Sequence, residues 1–440
     1  TSLRSVIWHP DSQRISFLGY HRQLGTGFWT VPLTGGTPIR SEFSSQARQQ
    51  FREVPLEGSA NFLWAPSGRA LLIEGVSKGV RNIWKVAVDP ETLNLVGGVE
   101  RLTTGPGLDT EMAVSTDGKR LAFTTRQERT RLWSFPFNPA TGQLQADGTA
   151  ITSAELDAAL PEVSRDGQKL AFILTRSGRP ELWEHSLKEG RETLLAGPDD
   201  YRRFAPRWSR DGSRLAYRRS HFTNAHRGQS ESSIVLLPSG GGDEQVLTSP
   251  NTFTEIPSDW SADGQWIIGT SDRSIPGRRA LCLFPVSAAP KAETEMRVLA
   301  SHPDFNLAQP RFSPDERWIC FSAVKATEAG VSALYVMPAA GGEWVRVTEG
   351  QSWDDRGYWA PDGKTIYFAS NRTGTLNVWG IRFDPKQGRA VGAPFRVTAF
   401  DLPGRMIQSG SLSLSLTAER LILPLTEAKG SIWILENLDR

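Results

Sequence analysis

The sequence predicts an all-β chain, a β-propeller of four-stranded antiparallel blades, and three observations carry that prediction. A strand–turn–strand phrase, seen whole at Trp208-Ser-Arg-Asp-Gly-Ser-Arg-Leu-Ala-Tyr217, recurs in nine copies that align without a gap. The copies stand 45 to 56 residues apart, the length of a propeller blade. Helical periodicity is nearly absent, and the best candidate, Ser45 to Glu53, is short and polar.

The first strand of each unit, strand A, ends on an anchor residue: Trp8, Trp64, Val114, Val163, Trp208, Trp260, Phe312, Trp359 and a worn Leu414. A tight polar turn follows, typified by Asp211-Gly212, where glycine accepts a positive φ without a Cβ clash. Strand B then alternates. Nine residues past the anchor it carries Phe17, Ile73, Phe123, Phe172, Tyr217, Gly269, Phe321, Phe368 or Leu423, so one face belongs to a core.

Strand C is marked by an aliphatic or aromatic residue before a tryptophan, as in Phe28-Trp29, Ile83-Trp84, Leu132-Trp133, Leu182-Trp183, Val378-Trp379 and Ile432-Trp433. Glycine turns follow in several units, at Gly35-Gly36, Gly240-Gly241-Gly242 and Gly341-Gly342. A shorter strand D closes the unit, as in Val246-Leu-Thr248, Val345-Arg-Val-Thr348 and Phe395-Arg-Val-Thr398. One such meander buries a single face and exposes two edges, so the units must pack face to face around an axis. Nine blades are expected from the ungapped count, with eight as the alternative. The 15 tryptophans are read as packing between blades rather than as ligand platforms.

The ninth unit ends soon after Ile432-Trp-Ile-Leu435, with too few residues for a fourth strand. Residues 1 to 6 already lead into the first strand A. The whole of 1–440 is therefore expected to be one propeller domain, excised from a larger protein.

Fifty basic against 48 acidic residues leave a net charge of +2, so no global field favours nucleic acid or an anionic membrane. No apolar run approaches the roughly 18 residues of a membrane helix, which speaks against direct membrane insertion. Cys282 and Cys320, the two cysteines, each sit in an apolar strand-like run and read as buried free thiols.

The phrase at Trp208–Tyr217, the Leu-Trp pairs and the Gly-Gly turn before Val-Leu-Thr resemble the WD40-like PD40 repeat of the TolB β-propellers. Gln309-Pro-Arg-Phe-Ser-Pro-Asp315, Gly341-Gly-Glu-Trp-Val-Arg-Val-Thr348 and Tyr367-Phe-Ala-Ser-Asn-Arg372 carry the resemblance most closely. It covers nearly the whole chain. The chain is also similar to the propeller sensor regions attached to bacterial serine/threonine kinases and winged-helix regulators. That resemblance implies an extracytoplasmic, periplasmic face of a bacterial membrane protein, with a cytoplasmic site as the alternative. Three family features are not found in the sequence: the six-blade count of TolB, its added N-terminal α/β domain, and the hydrolase domain that follows this repeat in prolyl-oligopeptidase-type peptidases. Their activities are not carried over, because a propeller hosts many functions.

No catalytic or cofactor signature is legible. Gly228-Gln-Ser230-Glu-Ser232 lacks the second glycine of a nucleophile elbow. No P-loop, dinucleotide fingerprint, His-Glu-x-x-His or EF-hand loop can be read, so neither a cofactor nor a metal is expected. A lone carboxylate per Asp-Gly turn falls short of the oxygen count that calcium needs, and the turn is read as structural.

The A–B and C–D turns are short and share one rim of the propeller. The B–C and D–A loops on the other rim vary in length and chemistry, and binding residues concentrate on such loops. Residues 218–232 carry Arg218, His221, His226 and Arg227; residues 271–279 add Arg273, Arg278 and Arg279. Together they form a basic sector suited to a phosphate, a carboxylate or an acidic surface. Two D–A loops share an acidic pair, an arginine and flanking aromatics: Asp199-Asp200-Tyr201-Arg202-Arg203 and Trp353-Asp354-Asp355-Arg356. These can hold a polar ligand, or pair among themselves as structural ions.

The sequence thus predicts a non-catalytic sensor or interaction domain. It would bind a protein, a peptide or a small polar ligand through Tyr201, Arg202, Arg203, Arg218, His221, His226, Arg227, Arg278, Trp353, Asp354, Asp355 and Arg356, as a monomer in isolation. The alternatives are a hydrolase or lyase acting on polysaccharide or peptide at the channel mouth, with Asp200 and Asp355 as its carboxylates, or a purely structural scaffold.

Overall fold

A computed structural model describes residues 3–438 except 22–24, 54–60, 78–79, 106, 177, 222–230, 276, 287–295, 326–329, 402–403, 409 and 411. Seven antiparallel sheets have four strands each, in simple sequential order, and one further sheet has seven. The helix Ser45–Glu53 stands where the sequence places it and packs against the strand Leu95–Arg101.

The turn of the opening phrase is built as its chemistry dictates. Gly212 takes a φ of 67°, its N–H bonds the Ser209 carbonyl at 2.9 Å, and the Ser209 hydroxyl donates to Asp211 at 2.6 Å. Asp211 also accepts the Ser213 N–H, at 3.0 Å. The same serine–aspartate clasp recurs at Ser115–Asp117, Ser164–Asp166, Ser261–Asp263 and Ser313–Asp315. Gly269, the one small residue in the strand B series, has a local cause: a Cβ there would come within 2.3 Å of the Ile256 carbonyl oxygen.

The expected single domain resolves into two compact units, Thr1–Glu128 with Ala428–Arg440, and Arg129–Glu427. The cause lies in the third and ninth repeats. Each lacks a B–C loop, so its B and C strands fuse into one long strand, Arg120–Asn138 of 19 residues and Arg420–Glu436 of 17. Both long strands cross from one unit to the other, and they pair with each other. No glycine, proline or asparagine interrupts 120–135, so nothing turns the chain there. The nine repeats consequently yield eight sheets rather than nine.

The second unit holds repeats four to eight as five whole blades. A composite blade completes it, with strands A and B from the ninth repeat and C and D from the third. Each of the five blades packs on the next. The composite blade packs on the eighth repeat around Tyr367 and Leu423, and on the fourth around Phe172 and Ile422. Six blades therefore close a circle, fewer than the nine expected. In the ninth repeat the turn is also shorter than the ungapped alignment assumes: Leu416, not Leu414, pairs as the anchor, opposite Leu421.

The first unit holds repeats one and two as whole blades and a three-stranded partial blade from Leu108–Val114, residues 120–128 and residues 428–436.

Candidate functional site

Strand A is the innermost strand of each blade, and in the second unit it carries a polar residue immediately before the anchor. These residues are Glu162, Arg207, Asp259, Arg311, Tyr358 and, in the composite blade, Ser415. The first three repeats place Ile7, Leu63 and Ala113 there instead. Three positions before the anchor, Leu160, Ala205, Gln309 and Arg356 adopt left-handed φ values of 53°, 51°, 55° and 59°, and the ladder shifts register beside each. Such bulges bend a strand and re-aim the side chains after them.

The re-aimed side chains meet around the axis. Arg311 donates two bonds to Glu162, both 2.9 Å, from the fourth blade of the circle to the first. Arg207 approaches the same carboxylate at 3.4 Å, and its Nε and Nη1 also donate to the carbonyls of Ser258 and Pro206, at 2.8 and 2.7 Å. The Arg311 guanidinium also lies 4.4 Å from the centroid of the Tyr358 ring. Asp259 accepts the backbone N–H groups of Trp260 and Phe312, at 2.9 and 3.1 Å.

Burial sets the electrostatics of this ring. It works against the charge on Arg311, yet the Glu162 carboxylate outweighs it and holds the guanidinium pKa above its ordinary value. Burial, with Arg311 beside it, lowers Arg207 to about 10, so it too stays charged at neutral pH. Burial raises the Asp259 carboxyl, and it raises the Tyr358 hydroxyl to about 12, with the Glu162 charge adding to the effect.

A cavity of about 220 Å³ opens on this ring from the side of the Asp-Gly turns. Its floor includes Glu162, Asp259, Arg311 and Tyr358, and its walls include Trp208, Phe312, Trp359 and Leu416. The mouth is asymmetric. Arg165 and Arg210, from the first two blades, stand on one side, and Pro314 and Pro361, from the fourth and fifth, on the other. Arg210 is held by Glu316 at 3.5 Å and by the Trp260 carbonyl at 3.4 Å.

Of the twelve residues expected from the sequence, the ten that are described do not line this cavity. Asp354 is buried and paired with Arg372 at 3.0 and 3.1 Å; Asp355 accepts the Ser322 hydroxyl at 2.6 Å and has Arg356 at 3.9 Å. Trp353 packs against the apolar core between the last two blades. Arg203, 1% exposed, binds Asp199 at 2.5 and 2.9 Å. Asp200 lies 3.9 Å from Arg179. These acid–base pairs thus have partners within the fold.

The basic sector is assembled only in part. Tyr201 and His221 face each other across one ladder, with ring centroids 5.2 Å apart, and the Arg219 guanidinium covers Tyr201 at 4.5 Å. Arg202 is exposed beside them. Arg218 is half-buried, its charge disfavoured by burial and by neighbouring Arg279 but supported by Asp272. Arg278 bonds the carbonyls of Pro303 and Gly277, each at 3.2 Å. His226 and Arg227 lie outside the described residues. Among the described residues, no group of three or more His, Cys, Asp or Glu side chains is placed to hold a metal ion, and no helix is long and apolar enough to cross a membrane.

Sequence reasoning missed the polar ring. Its signal was present: a charged residue one place before the anchor, in repeats four to seven and not in repeats one to three.

No family profile matches the chain. A curated relative, Uncharacterized protein Atu1656 of Agrobacterium fabrum, is 28% identical over 183 residues, 41% of this chain and 55% of that protein. The chain thus spans about half the length of the curated relative it matches. Among solved structures it is similar to TolB from Acinetobacter baumannii, with a TM-score of 0.46 and 13% identity over 85% of this chain and 81% of that one. It is similar to the β-propeller domain of the Trilobed protease from Pyrococcus furiosus, at 0.41 and 14%, covering 76% and 96%. An oligogalacturonate lyase from Vibrio parahaemolyticus gives 0.41 and 11%, covering 97% and 98%. The solved structures it is similar to thus include both TolB and enzymes.

Proposed function

We propose that the chain is a non-catalytic binding propeller, which takes a partner peptide or a small anionic ligand in the cavity at the tight-turn mouth of its six-blade circle. What supports this reading is the make-up of that cavity: a floor whose charged groups already satisfy one another, below a mouth with arginines on one side and prolines on the other. A carboxylate or phosphate would meet Arg165 and Arg210, while an apolar group would rest on Pro314, Pro361 and Leu416. The two carboxylates of the floor are already engaged, Glu162 by two guanidinium groups and Asp259 by two backbone N–H groups, which supports binding over catalysis. In the wider protein, the domain acts as the sensor or interaction part of a bacterial signalling protein on the extracytoplasmic side.

A displayed-peptide selection on the 440-residue chain tests the site. Selected peptides are expected to carry an acidic residue near an apolar one, and to lose binding when Arg165 and Arg210 are both changed to Glu. Binding that survives those changes but is lost with Tyr201→Ala and His221→Ala would move the site to the opposite rim and overturn the cavity reading.

A further inference from the structure

Three residues before the anchor, the innermost strands of the second unit carry Leu160, Ala205, Pro257, Gln309, Arg356 and, in the composite blade, Ser413. Each strand passes through this layer, then through the polar ring, and then reaches the anchor and the turn at the cavity mouth. The layer therefore lies on the other side of the ring from the cavity. Arg356 is its one charged member. The guanidinium stands near the axis, since it is in electrostatic contact with Arg207, three blades away, as well as with Arg311 of the adjacent blade.

That charge lacks a hydrogen-bond acceptor among the described residues. The closest carboxylate is Asp355, with one oxygen 3.9 Å from the Arg356 Nε and the other taking the Ser322 hydroxyl at 2.6 Å. The Nε itself is buried and has no hydrogen-bond partner. Glu162 is already occupied by Arg311 and Arg207. Burial disfavours the charge on Arg356, Asp355 offsets that only in part, and Arg311 adds repulsion. With its side chain 18% exposed, this guanidinium is largely desolvated yet open to a small ion from the axis. Gln309 holds the same position on the adjacent blade, with a matching left-handed φ of 55° against 59°. It is half-buried, and its amide has no hydrogen-bond partner among the described residues.

We propose that the second unit binds a small inorganic anion of chloride size on its axis, held by Arg356 and Gln309. The guanidinium supplies the charge and the amide N–H a further donor. No residue of the layer is a carboxylate, so nothing in it repels an anion. Leu160, Ala205 and Pro257, on the first three blades, offer no donor to the far side of a larger oxyanion, whereas a weakly hydrated halide is satisfied by N–H donors on one side. The site shares no residue with the cavity at the tight-turn mouth, and stands or falls apart from it.

Thermal unfolding of the 440-residue chain in sodium chloride and in sodium gluconate, at equal ionic strength, reads the site in solution. Chloride at ten times its Kd is expected to raise the midpoint of the wild type by about 3 °C, and the rise is expected to saturate. Arg356→Met is expected to lose this difference between the salts, Gln309→Leu to need severalfold more chloride for it, and Arg165→Glu, at the cavity mouth, to keep it. Crystals grown in sodium bromide give a second readout that needs no variant. An anomalous-scattering peak is expected on the axis, within hydrogen-bond distance of the Arg356 guanidinium. Equal midpoints in the two salts, a chloride effect that Arg356→Met retains, or bromide found only at the Arg165 and Arg210 mouth would each overturn the proposal. If Arg356→Met does not fold, the position of bromide in the wild type decides alone.

Discussion

Arg311 grips Glu162 through two 2.9 Å bonds that reach across the six-blade circle, from its fourth blade to its first. Both side chains are buried, and the pair joins blades separated by 149 residues of sequence. Taking two charges out of water is costly, so such a pair adds specificity more surely than net stability. It also sets the depth of the cavity, because its atoms form the floor on which any ligand must rest.

Removing one partner should therefore be far worse than removing both. Glu162→Ala leaves Arg311 and Arg207 charged and without their shared acceptor, and a cost of about 3–5 kcal/mol is expected. The Glu162→Leu, Arg311→Met double variant should recover part of that loss, since the Arg311 charge goes with its partner, while Arg207 loses the carboxylate but keeps its two carbonyl acceptors. Denaturant midpoints of the three proteins check this. A double variant as unstable as the single one would show instead that the network as a whole, not the pair, holds the circle closed.

The sequence made the blade legible and left the circle hidden, for a physical reason that particular residues display. Trp208, Gly212 and Tyr217 act locally: the turn, the strand face and the blade contact follow from spacing alone, and all appear as expected. How many blades close depends on where the chain fails to turn. That is decided at residues 126–131, Arg-Gln-Glu-Arg-Thr-Arg, where charge and polarity resemble a loop but the strand runs on. The rim arginines and aspartates were legible as residues, and the pairing of Arg203 with Asp199 lies within local reach. The partner of Asp354 was not legible, because Arg372 lies 18 positions away, a distance that no local pattern spans. The polar ring was missed because a single charged residue per repeat is hard to separate from the alternation of a half-buried strand.

Two turns lack the glycine and pay in backbone strain. Ser12 and Glu316 occupy the glycine position with φ values of 56° and 55°, where a side chain costs roughly 1 kcal/mol or more. Ser12→Gly relieves that strain and adds backbone freedom to the unfolded chain, so a net gain of a few tenths of a kcal/mol is expected. Glu316→Gly should go the other way, because its carboxylate accepts the Ala262 N–H and holds Arg210 at the cavity mouth. Paired thermal melts give the signs directly. A stabilising Glu316→Gly would mean that the mouth contact contributes nothing to the fold.

The turn aspartates give the protein a defined acid limit. Hydrogen bonds from Ser209 and Ser213 hold Asp211 down to about 2, and Asp11 is held to about 2 against its own burial by the Gln13 N–H, Arg14 and His9. Asp117 and Asp263 are lowered by the same serine clasp, and Asp166 and Asp315 are lowered by it despite burial. A carboxyl whose folded pKa lies below its unfolded value stabilises the fold fully above the unfolded pKa, and that contribution is lost as pH falls through the folded one. The window here runs from about 4 down to about 2. Urea midpoints of the wild type and of Asp211→Asn should differ above pH 4, with the wild type more stable, and converge as the pH approaches 2. A difference that stays constant through that window would mean the clasp acts through geometry alone, with the charge on Asp211 contributing nothing.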